Sequence, residues 1–185
     1  MRVSGAQFQE NRNRILMEAS RLFRERGFEA VSVAEVMKAA GLTHGGFYGH
    51  FKSKDDLIAQ AALAASAPIL EGWREEAQAD GPAALKAIAG RYLSSEHRDG
   101  RGEGCVMAAL GPEIARLDAA ARGPVTEVAQ GIVEVLQALT PGDSPAERRR
   151  RAIATYAGWV GAMVLARASA DEAFSREVLE AVAEA

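Results

Sequence analysis

Cysteine and histidine are the side chains most often used for nucleophilic, redox and metal chemistry together, and this sequence has one cysteine and three histidines: Cys105, His44, His50 and His97. Cys105 follows a polar, glycine-rich stretch and stands where a helix is expected to begin. Backbone N–H groups and the helix dipole favour a thiolate at such a place. Two interpretations stay open. The thiol senses oxidants or electrophiles, or it is a small buried apolar side chain beside Val106 and Met107.

The histidines do not form a recognisable catalytic or metal site. His44 and His50 are six residues apart, which does not match the i,i+3 or i,i+4 spacing of a metal pair on one helical face. His97 precedes Cys105 by eight residues, so an enzyme with a Cys–His nucleophile is the alternative from a different function class. No third orienting group or oxyanion motif accompanies that pair. We therefore expect no enzyme, no metal and no cofactor.

A helix-turn-helix is the clearest pattern in the chain. Ser32 and Glu35 have the spacing of a capping box, which predicts a helix start. Apolar residues then recur at helical spacing until Gly41, which is suited to end that helix, and Thr43 is placed to cap the next one. Two short helices joined by a glycine turn are typical of a helix-turn-helix, whose second helix lies in the DNA major groove.

The predicted second helix contains two adjacent glycines, Gly45 and Gly46. Each costs about 0.8–1 kcal/mol of helix propensity relative to alanine, and such violations tend to mark functional sites. The glycines would let the backbone approach DNA closely, while the alternative is a glycine-rich surface loop. The side chains expected to reach bases or phosphates are those of His44, Tyr48 and His50, whereas Phe47 and Phe51 are expected to face the core.

The first third of the chain resembles the TetR family of transcriptional regulators. The matching residues are Ile15, Leu16, Ala19, Leu22 and Phe23, then GFEAVSV at 27–33, AGLTHGGFYGHF at 40–51 and KSKDDL at 52–57. The resemblance implies an all-α protein with a three-helix DNA-binding head at residues 1–53 and a helical effector-binding and dimerisation body at residues 54–185. The implied DNA contacts are Ser32, Thr43, His44, Gly45, Gly46, Tyr48, His50 and Lys54.

The same resemblance implies a homodimer that binds a near-palindromic double-stranded DNA operator, most simply as a repressor that a small-molecule effector releases. A redox- or electrophile-sensing regulator acting through Cys105 is the alternative. The sequence identifies neither the effector nor the operator. The candidate walls of an effector pocket are Trp73, Tyr92, Cys105, Met107, Leu110, Trp159 and Met163, although apolar residues at helical spacing also serve as plain core.

Small residues in the predicted penultimate helix form two strips, Ala154/Gly158/Ala162 and Ala157/Gly161. Glycine inside a helix costs stability unless close packing compensates for it. A close helix crossing is the expected reason, and the resemblance places that crossing in a dimer interface built from the last two helices of each subunit. The predicted interface residues are Ala154, Gly158, Gly161 and Ala162.

The remaining segments are predicted to be helical with breaks at proline and glycine. A kink or a break is expected near Ala67 before Pro68, and breaks are expected at the polar stretch 97–104, at Gly111-Pro112 and at Gly123-Pro124. A helix is expected to begin at Ser144-Pro145 with Glu147 as box partner, and Ser169 with Glu172 is expected to cap the last helix.

Composition is that of a globular protein, with 185 residues, 48% apolar residues and a net charge of −3. The small excess of basic residues in the first 60 is compatible with DNA binding but does not establish it. No apolar run approaches the roughly 20 residues needed to span a bilayer, so we expect no membrane association and a cytoplasmic location. Four consecutive arginines, Arg148–Arg151, are expected on the surface, with dimer-edge ion pairs or a phosphate contact as alternatives.

Overall fold

The structure, a computed structural model, describes residues 4–184, and every regular element within that range is helical. Two 3-10 turns lie at His44–Gly46 and Arg101–Glu103. The α-helices are α1 Gly5–Arg26, α2 Val33–Ala39, α3 Phe47–His50, α4 Lys54–Asp80, α5 Ala83–Tyr92, α6 Ser95–Asp99, α7 Val106–Ile114, α8 Ala119–Leu139, α9 Pro145–Ala168 and α10 Glu172–Ala183. The all-α prediction is confirmed.

The capping box at the start of α2 is present. The Ser32 hydroxyl accepts a hydrogen bond from the Glu35 N–H, and the Glu35 carboxylate accepts one from the Ser32 N–H. These bonds hold the pKa of Glu35 at about 2. Gly41, with φ of 72°, makes the turn after α2 in a conformation that other residues rarely adopt. Thr43 precedes a 3-10 turn without a side-chain capping bond, so the prediction that its side chain caps the next helix is wrong.

Helix α4 joins the head to the body and belongs to both hydrophobic cores. Leu57 and Ala61 pack in the head core, whereas Leu70 and Trp73 pack in the body core. Of the kink or break predicted near Ala67, the break is wrong, because the helix is continuous through Pro68. Helix α8 lies so close to α4 that a Cβ on Gly131 would stand 2.6 Å from the Leu70 side chain. We attribute the continuity of α4 to this packing, which compensates for the bond that proline lacks.

Two other proline or glycine breaks were also predicted wrongly. Helix α7 continues through Pro112 to Ile114, and α8 begins at the Asp118 cap with Pro124 inside it. The Asp118 carboxylate accepts a hydrogen bond from the Ala121 N–H, and this cap sets the start of α8 five residues before the glycine. Pro124 is the sixth residue of α8 and lies beyond the first four N–H groups that lack intrahelical partners, so α8 continues through it at the cost of one backbone hydrogen bond.

The stretch 97–104 is not the loop that its composition predicted. Ser94 caps α6 by accepting a hydrogen bond from the His97 N–H, and the second 3-10 turn follows. The start of α9 is as predicted, with Ser144 as cap and Pro145 as first residue. The last helix is capped by Asp171, which accepts from the Ala173 and Phe174 N–H groups, so the assignment of that cap to Ser169 is wrong.

None of the helices within residues 4–184 is both long enough and apolar enough to cross a membrane.

Candidate functional site

The surface of the 3-10 turn and α3 is exposed over a continuous run of positions. Thr43, His44, Gly45 and Gly46 are all exposed, and the Tyr48 side chain is 73% exposed. Phe47 and Phe51 are buried, with ring centroids 5.8 Å apart, as their spacing predicted. The element therefore has one face fixed in the head core and one face available to a partner.

The glycines on this exposed face have open space around them and ordinary backbone conformations. A Cβ on Gly45 or Gly49 would meet no atom within 4 Å, and one on Gly46 would make only ordinary contact, at 3.6 Å from Met37 Cε. None of the three has a positive φ. Glycine costs helix stability there, and the open space above these residues leaves room for the close approach of a partner. Gly49 was not among the predicted contacts, although it follows Gly45 by one helical turn.

His50 is held within the head. Its ring stacks on Phe8 with centroids 4.2 Å apart, and its carbonyl oxygen accepts a hydrogen bond from Arg12. Burial, with the positive charge of Arg12, lowers the pKa of His50. His44, by contrast, is exposed. A contact of His50 with DNA stays a prediction, and it would use a neutral ring.

Two further predicted contacts already have partners inside the head. The Lys54 ammonium donates to the Phe28 carbonyl oxygen at 2.6 Å. The Ser32 hydroxyl is engaged in the capping box with Glu35. Their contacts with phosphates also stay predictions, and any such contact by Ser32 would compete with its capping bonds.

The body encloses a cavity of about 340 Å³ between α4, α5, α7, α8 and α9. Four of the seven predicted pocket residues line it: Trp73, Tyr92, Cys105 and Met107. Tyr156 lines it too and was not predicted. Apolar side chains form most of the remaining wall, among them Ile69, Ile88, Val125, Val128 and Ile132.

The other three predicted pocket residues do not line this cavity. Leu110 packs in the head core, and Met163 is completely buried in the body core. Trp159 supports the cavity wall from behind, with ring centroids 6.0 Å from Trp73 and 5.4 Å from Tyr92. Apolar spacing identified these residues as buried but could not distinguish a cavity wall from packed core.

His97 positions the backbone at Cys105 and does not activate its thiol. The His97 Nε2 atom accepts a hydrogen bond from the Cys105 N–H at 2.9 Å, so the proton lies on Nδ1, which donates to the Tyr92 carbonyl oxygen at 2.6 Å. Burial lowers the pKa of His97 and so favours this neutral form. Both ring nitrogens are occupied, which leaves no base for the Cys105 thiol. The thiol is half-buried and lies beside the hydroxyl groups of Tyr92 and Tyr156.

The residues 102–105, hereafter the coupling segment, connect the cavity to the head. Arg24 of α1 is buried, and its guanidinium donates to the Gly104 carbonyl oxygen at 2.8 Å. Burial lowers the pKa of Arg24. The next residue, Cys105, lines the cavity. A second connection runs from α7, where the Glu113 carboxylate accepts from the Phe28 N–H at 2.6 Å.

The coupling segment is also held from the body side. Arg167 of α9 donates to the carbonyl oxygens of His97 at 2.8 Å and Arg98 at 3.0 Å. A Cβ on Gly104 would stand 2.7 Å from the Arg167 guanidinium and 2.8 Å from the His97 ring. The close packing on Gly104 means that displacement of Cys105 would be passed to its neighbours. Sequence reasoning missed this arrangement because its partners are up to 80 residues apart.

The exposed apolar surface of α9 and α10 differs from the predicted interface. Ala162 is buried within its own chain, and a Cβ on Gly158 would stand 3.9 Å from Val182 of the chain's own α10. Ala162 is thus covered by its own chain and Gly158 faces its own α10, and the assignment of both to a dimer interface stays a prediction. Ala154 and Gly161 are exposed. The large apolar side chains beside them are Ile153, Val164, Leu165 and Phe174, of which Leu165 is 56% exposed.

Among the described residues, no group of three or more His, Cys, Asp or Glu side chains is placed to hold a metal ion.

Comparison with known proteins bears on the head and the body separately. The model of the family described as "Bacterial regulatory proteins, tetR family" matches residues 15–61. The transcriptional regulator AcrR of Shigella flexneri is 48% identical over 52 residues, which are 28% of this chain and 24% of AcrR. This chain thus matches about a quarter of the length of AcrR.

Similarity over most of the chain is found with the transcriptional repressor NemR of Escherichia coli K12. The two are 25% identical over 170 residues, covering 86% of this chain and 85% of NemR. The crystal structure of the reduced form of E. coli NemR superposes with a TM-score of 0.80 at 23% identity, covering 95% of this chain and 94% of that one. This superposition shows that head and body share one fold with that protein.

Proposed function

This chain belongs to the TetR family of bacterial regulatory proteins, and from that membership and its geometry we propose that it is a dimeric, ligand-responsive repressor of transcription. The head binds a near-palindromic operator, and occupation of the body cavity by a small molecule releases it. We place the protein in the cytoplasm, where its operator is accessible.

The observation that carries the proposal is the exposed face of the 3-10 turn and α3. Three glycines there have open space around them, and Thr43, His44 and Tyr48 flank them with side chains that hydrogen-bond. Backbone N–H groups brought close to a phosphate, with hydrogen-bonding side chains reaching base edges, are what major-groove recognition requires. His44 is the exposed side chain best placed to read bases.

Two heads are needed to read two half-sites, so the proposal includes a dimer. The exposed apolar side chains of α9 and α10 would be costly to leave in water as one continuous face. Pairing of α9 and α10 with their copies about a two-fold axis buries Ile153, Leu165 and Phe174 from both subunits. Such symmetry would place the two recognition surfaces on half-sites about 10–10.5 base pairs apart, or a multiple of that spacing.

The coupling segment supplies a path from the cavity to the head. A ligand that displaces Cys105 also displaces the Gly104 carbonyl oxygen, and Arg24 transmits that displacement to α1. A ligand shifts the equilibrium only if it binds the released conformation more tightly than the DNA-binding one. The coupling is thus a difference in binding free energy between two conformations of the segment, of about 1–3 kcal/mol in typical allosteric proteins.

The proposal is tested by selecting DNA from a random library with the purified chain. We expect an enriched two-fold symmetric sequence that is bound by two chains per duplex. His44→Ala should reduce discrimination among related operators, whereas Lys54→Ala should weaken binding to all of them and reduce the salt dependence by about one unit of slope. Met17→Ala, an exposed change on the head away from the recognition face, serves as the control. Absence of any enriched sequence contradicts the proposal.

A second candidate, regulation through the Cys105 thiol, is favoured by the position of that residue. Cys105 is the N-cap of α7, lines the cavity and lies beside two phenol hydroxyls. An electrophilic carbon bound in the cavity would form a bond to the sulfur, with the thiol proton released and a proton taken up by the adduct. Loss of electrophile-induced operator release in Cys105→Ser, with release by a non-electrophilic ligand retained, supports this mode. Unchanged release by the electrophile in that variant contradicts it.

Catalysis is not part of the proposal. The Cys–His pair considered from the sequence has no free ring nitrogen to accept the thiol proton, because His97 is bonded at both positions.

A further inference from the structure

One buried polar group in the cavity wall has no role in the protein's own structure. The Tyr92 side chain is 6% exposed, and within the described residues its hydroxyl group has no nitrogen or oxygen partner; it lies beside the Cys105 thiol, which is only a weak hydrogen-bond partner. Burial of an unpaired hydroxyl costs about 1–3 kcal/mol. The ring itself is well packed, against Trp159 on one side and His97 on the other. Phenylalanine would fill that space without the cost, so the hydroxyl group calls for a different explanation.

The hydroxyl lies within a small polar group on an apolar wall. Tyr92 and Tyr156 come from different helices, and both hydroxyls stand beside the Cys105 thiol. All three residues line the cavity. Burial, followed by the neighbouring Cys105, raises the pKa of both phenols well above the usual value. They are therefore neutral hydrogen-bond donors at physiological pH.

The described wall of the cavity offers no unpaired positive charge that would bind an anionic ligand. Of its ionisable wall residues, Arg91 is paired with Glu76, and Glu103 is exposed at the rim. His97 is neutral for the reason given above. A carboxylate drawn into this cavity would lose its hydration without gaining a free counter-charge, which disfavours its binding.

We propose that the cavity binds an uncharged, mainly apolar small molecule whose single carbonyl-type oxygen accepts hydrogen bonds from the Tyr92 and Tyr156 hydroxyls. This inference rests on the proposed function, because it defines the chemical class of the effector for the same cavity. The volume of about 340 Å³ is at the small end of ligand pockets and suits a compound with one or two rings. Binding is reversible and does not require reaction with Cys105.

The test uses three bicyclic probes that differ at one group: 1-tetralone, tetralin, which lacks the oxygen, and tetralin-1-carboxylate, which carries a charge. Dissociation constants are measured by equilibrium dialysis against the full chain without DNA. For the unsubstituted protein, we expect 1-tetralone to bind about tenfold more tightly than tetralin, as one net hydrogen bond would provide. The carboxylate should bind more weakly than either.

Tyr92→Phe should remove most of the preference for 1-tetralone over tetralin while leaving the affinity for tetralin unchanged. Its melting temperature should equal or exceed that of the unsubstituted protein, because the buried hydroxyl has only the weak Cys105 thiol contact to lose. Tyr156→Phe should reduce the preference in part, and Tyr48→Phe, on the exposed head, should leave it unchanged. Cys105→Ser should retain binding of 1-tetralone, since no covalent bond is involved.

Several results would overturn the inference: no binding of 1-tetralone, equal affinity for tetralin, tighter binding of the carboxylate, or a preference that Tyr92→Phe leaves intact. None of these results depends on DNA. A chain that binds 1-tetralone as expected but selects no operator would instead contradict the proposed function and leave the ligand class supported.

Discussion

The bond between Arg24 and the Gly104 carbonyl oxygen is predicted to carry the signal from the cavity to the head. A cavity-filling substitution can stand in for the ligand, which makes the test independent of the effector's identity. Ala129 lines the cavity and is only partly buried, so Ala129→Phe would place a benzene-sized group in the space of about 340 Å³. Arg24→Met would then remove the guanidinium while keeping most of the apolar side-chain stem.

The magnitude follows from the hydrogen bond. A bond donated by a charged group contributes about 1.5–3 kcal/mol, and the 2.8 Å contact of Arg24 is buried. Part of that contribution is offset because removing the guanidinium also removes its desolvation cost. Ala129→Phe alone should weaken operator binding by about 5- to 150-fold, the usual range of allosteric coupling. In the Arg24→Met background, the same substitution should weaken it by less than about fivefold.

The assay is fluorescence anisotropy with a selected operator, and the interaction between the two substitutions is obtained from a double-mutant cycle. Arg26→Met is the matched control, since Arg26 lies two residues along the same helix and its hydrogen bonds are to Glu35 and Ala30 within the head. Its cycle with Ala129→Phe should show no interaction. An equal loss of operator affinity on Ala129→Phe with and without Arg24 would refute the reasoning.

Three further predictions concern the recognition face, the dimer and the pH dependence of stability. Gly49→Ala should raise the free energy of unfolding by about 0.5–1 kcal/mol and weaken operator binding. Gly72 also has open space around its Cβ position, so Gly72→Ala should stabilise the protein to the same extent and leave operator binding intact. Equal operator binding by both variants would count against a DNA role for Gly49. Leu165→Glu should give monomers in sedimentation experiments. Met17→Glu, at a position 71% exposed on the head, should leave the dimer intact. A dimeric Leu165→Glu protein would exclude the exposed face of α9 and α10 as the dimer interface. Burial lowers the pKa of His97, so below about pH 6.5 the unfolded chain takes up a proton that the folded chain does not. The free energy of unfolding should therefore fall as the pH drops through 6.5 towards the folded-state pKa. His97→Gln should reduce this dependence of the free energy of unfolding on pH, measured by denaturant titrations at several pH values. An unchanged pH dependence would contradict the assignment of the effect to His97.

The head could be predicted well from the sequence because its signals are local. The Ser32–Glu35 capping box and the spacing of Phe47 and Phe51 involve neighbours within four residues, and the structure has both as expected. The prolines and glycines of the body misled the prediction for the opposite reason. Whether Pro68 or Pro124 breaks a helix depends on distant packing and on the position of the cap, neither of which is visible in a short window of sequence.

The cavity illustrates the same limit. Trp73 and Met163 are both apolar residues at helical spacing, yet Trp73 lines the cavity and Met163 is packed in the core. The coupling segment joins residues up to 80 positions apart, and no local pattern marks Arg24 as the partner of a glycine carbonyl. A basic side chain on a helix is common, so the sequence did not indicate a special role for Arg24. Cys105 could be identified because it is the single cysteine, and it does lie in the cavity wall.

The most direct test of the central claim is hydroxyl-radical footprinting of the chain on the DNA that it selects. The account predicts two protected half-sites related by a two-fold axis, with major grooves that face the same side of the duplex, and loss of the footprint when the cavity is filled by Ala129→Phe. A single asymmetric footprint, or a symmetric one that Ala129→Phe leaves unchanged, would contradict it.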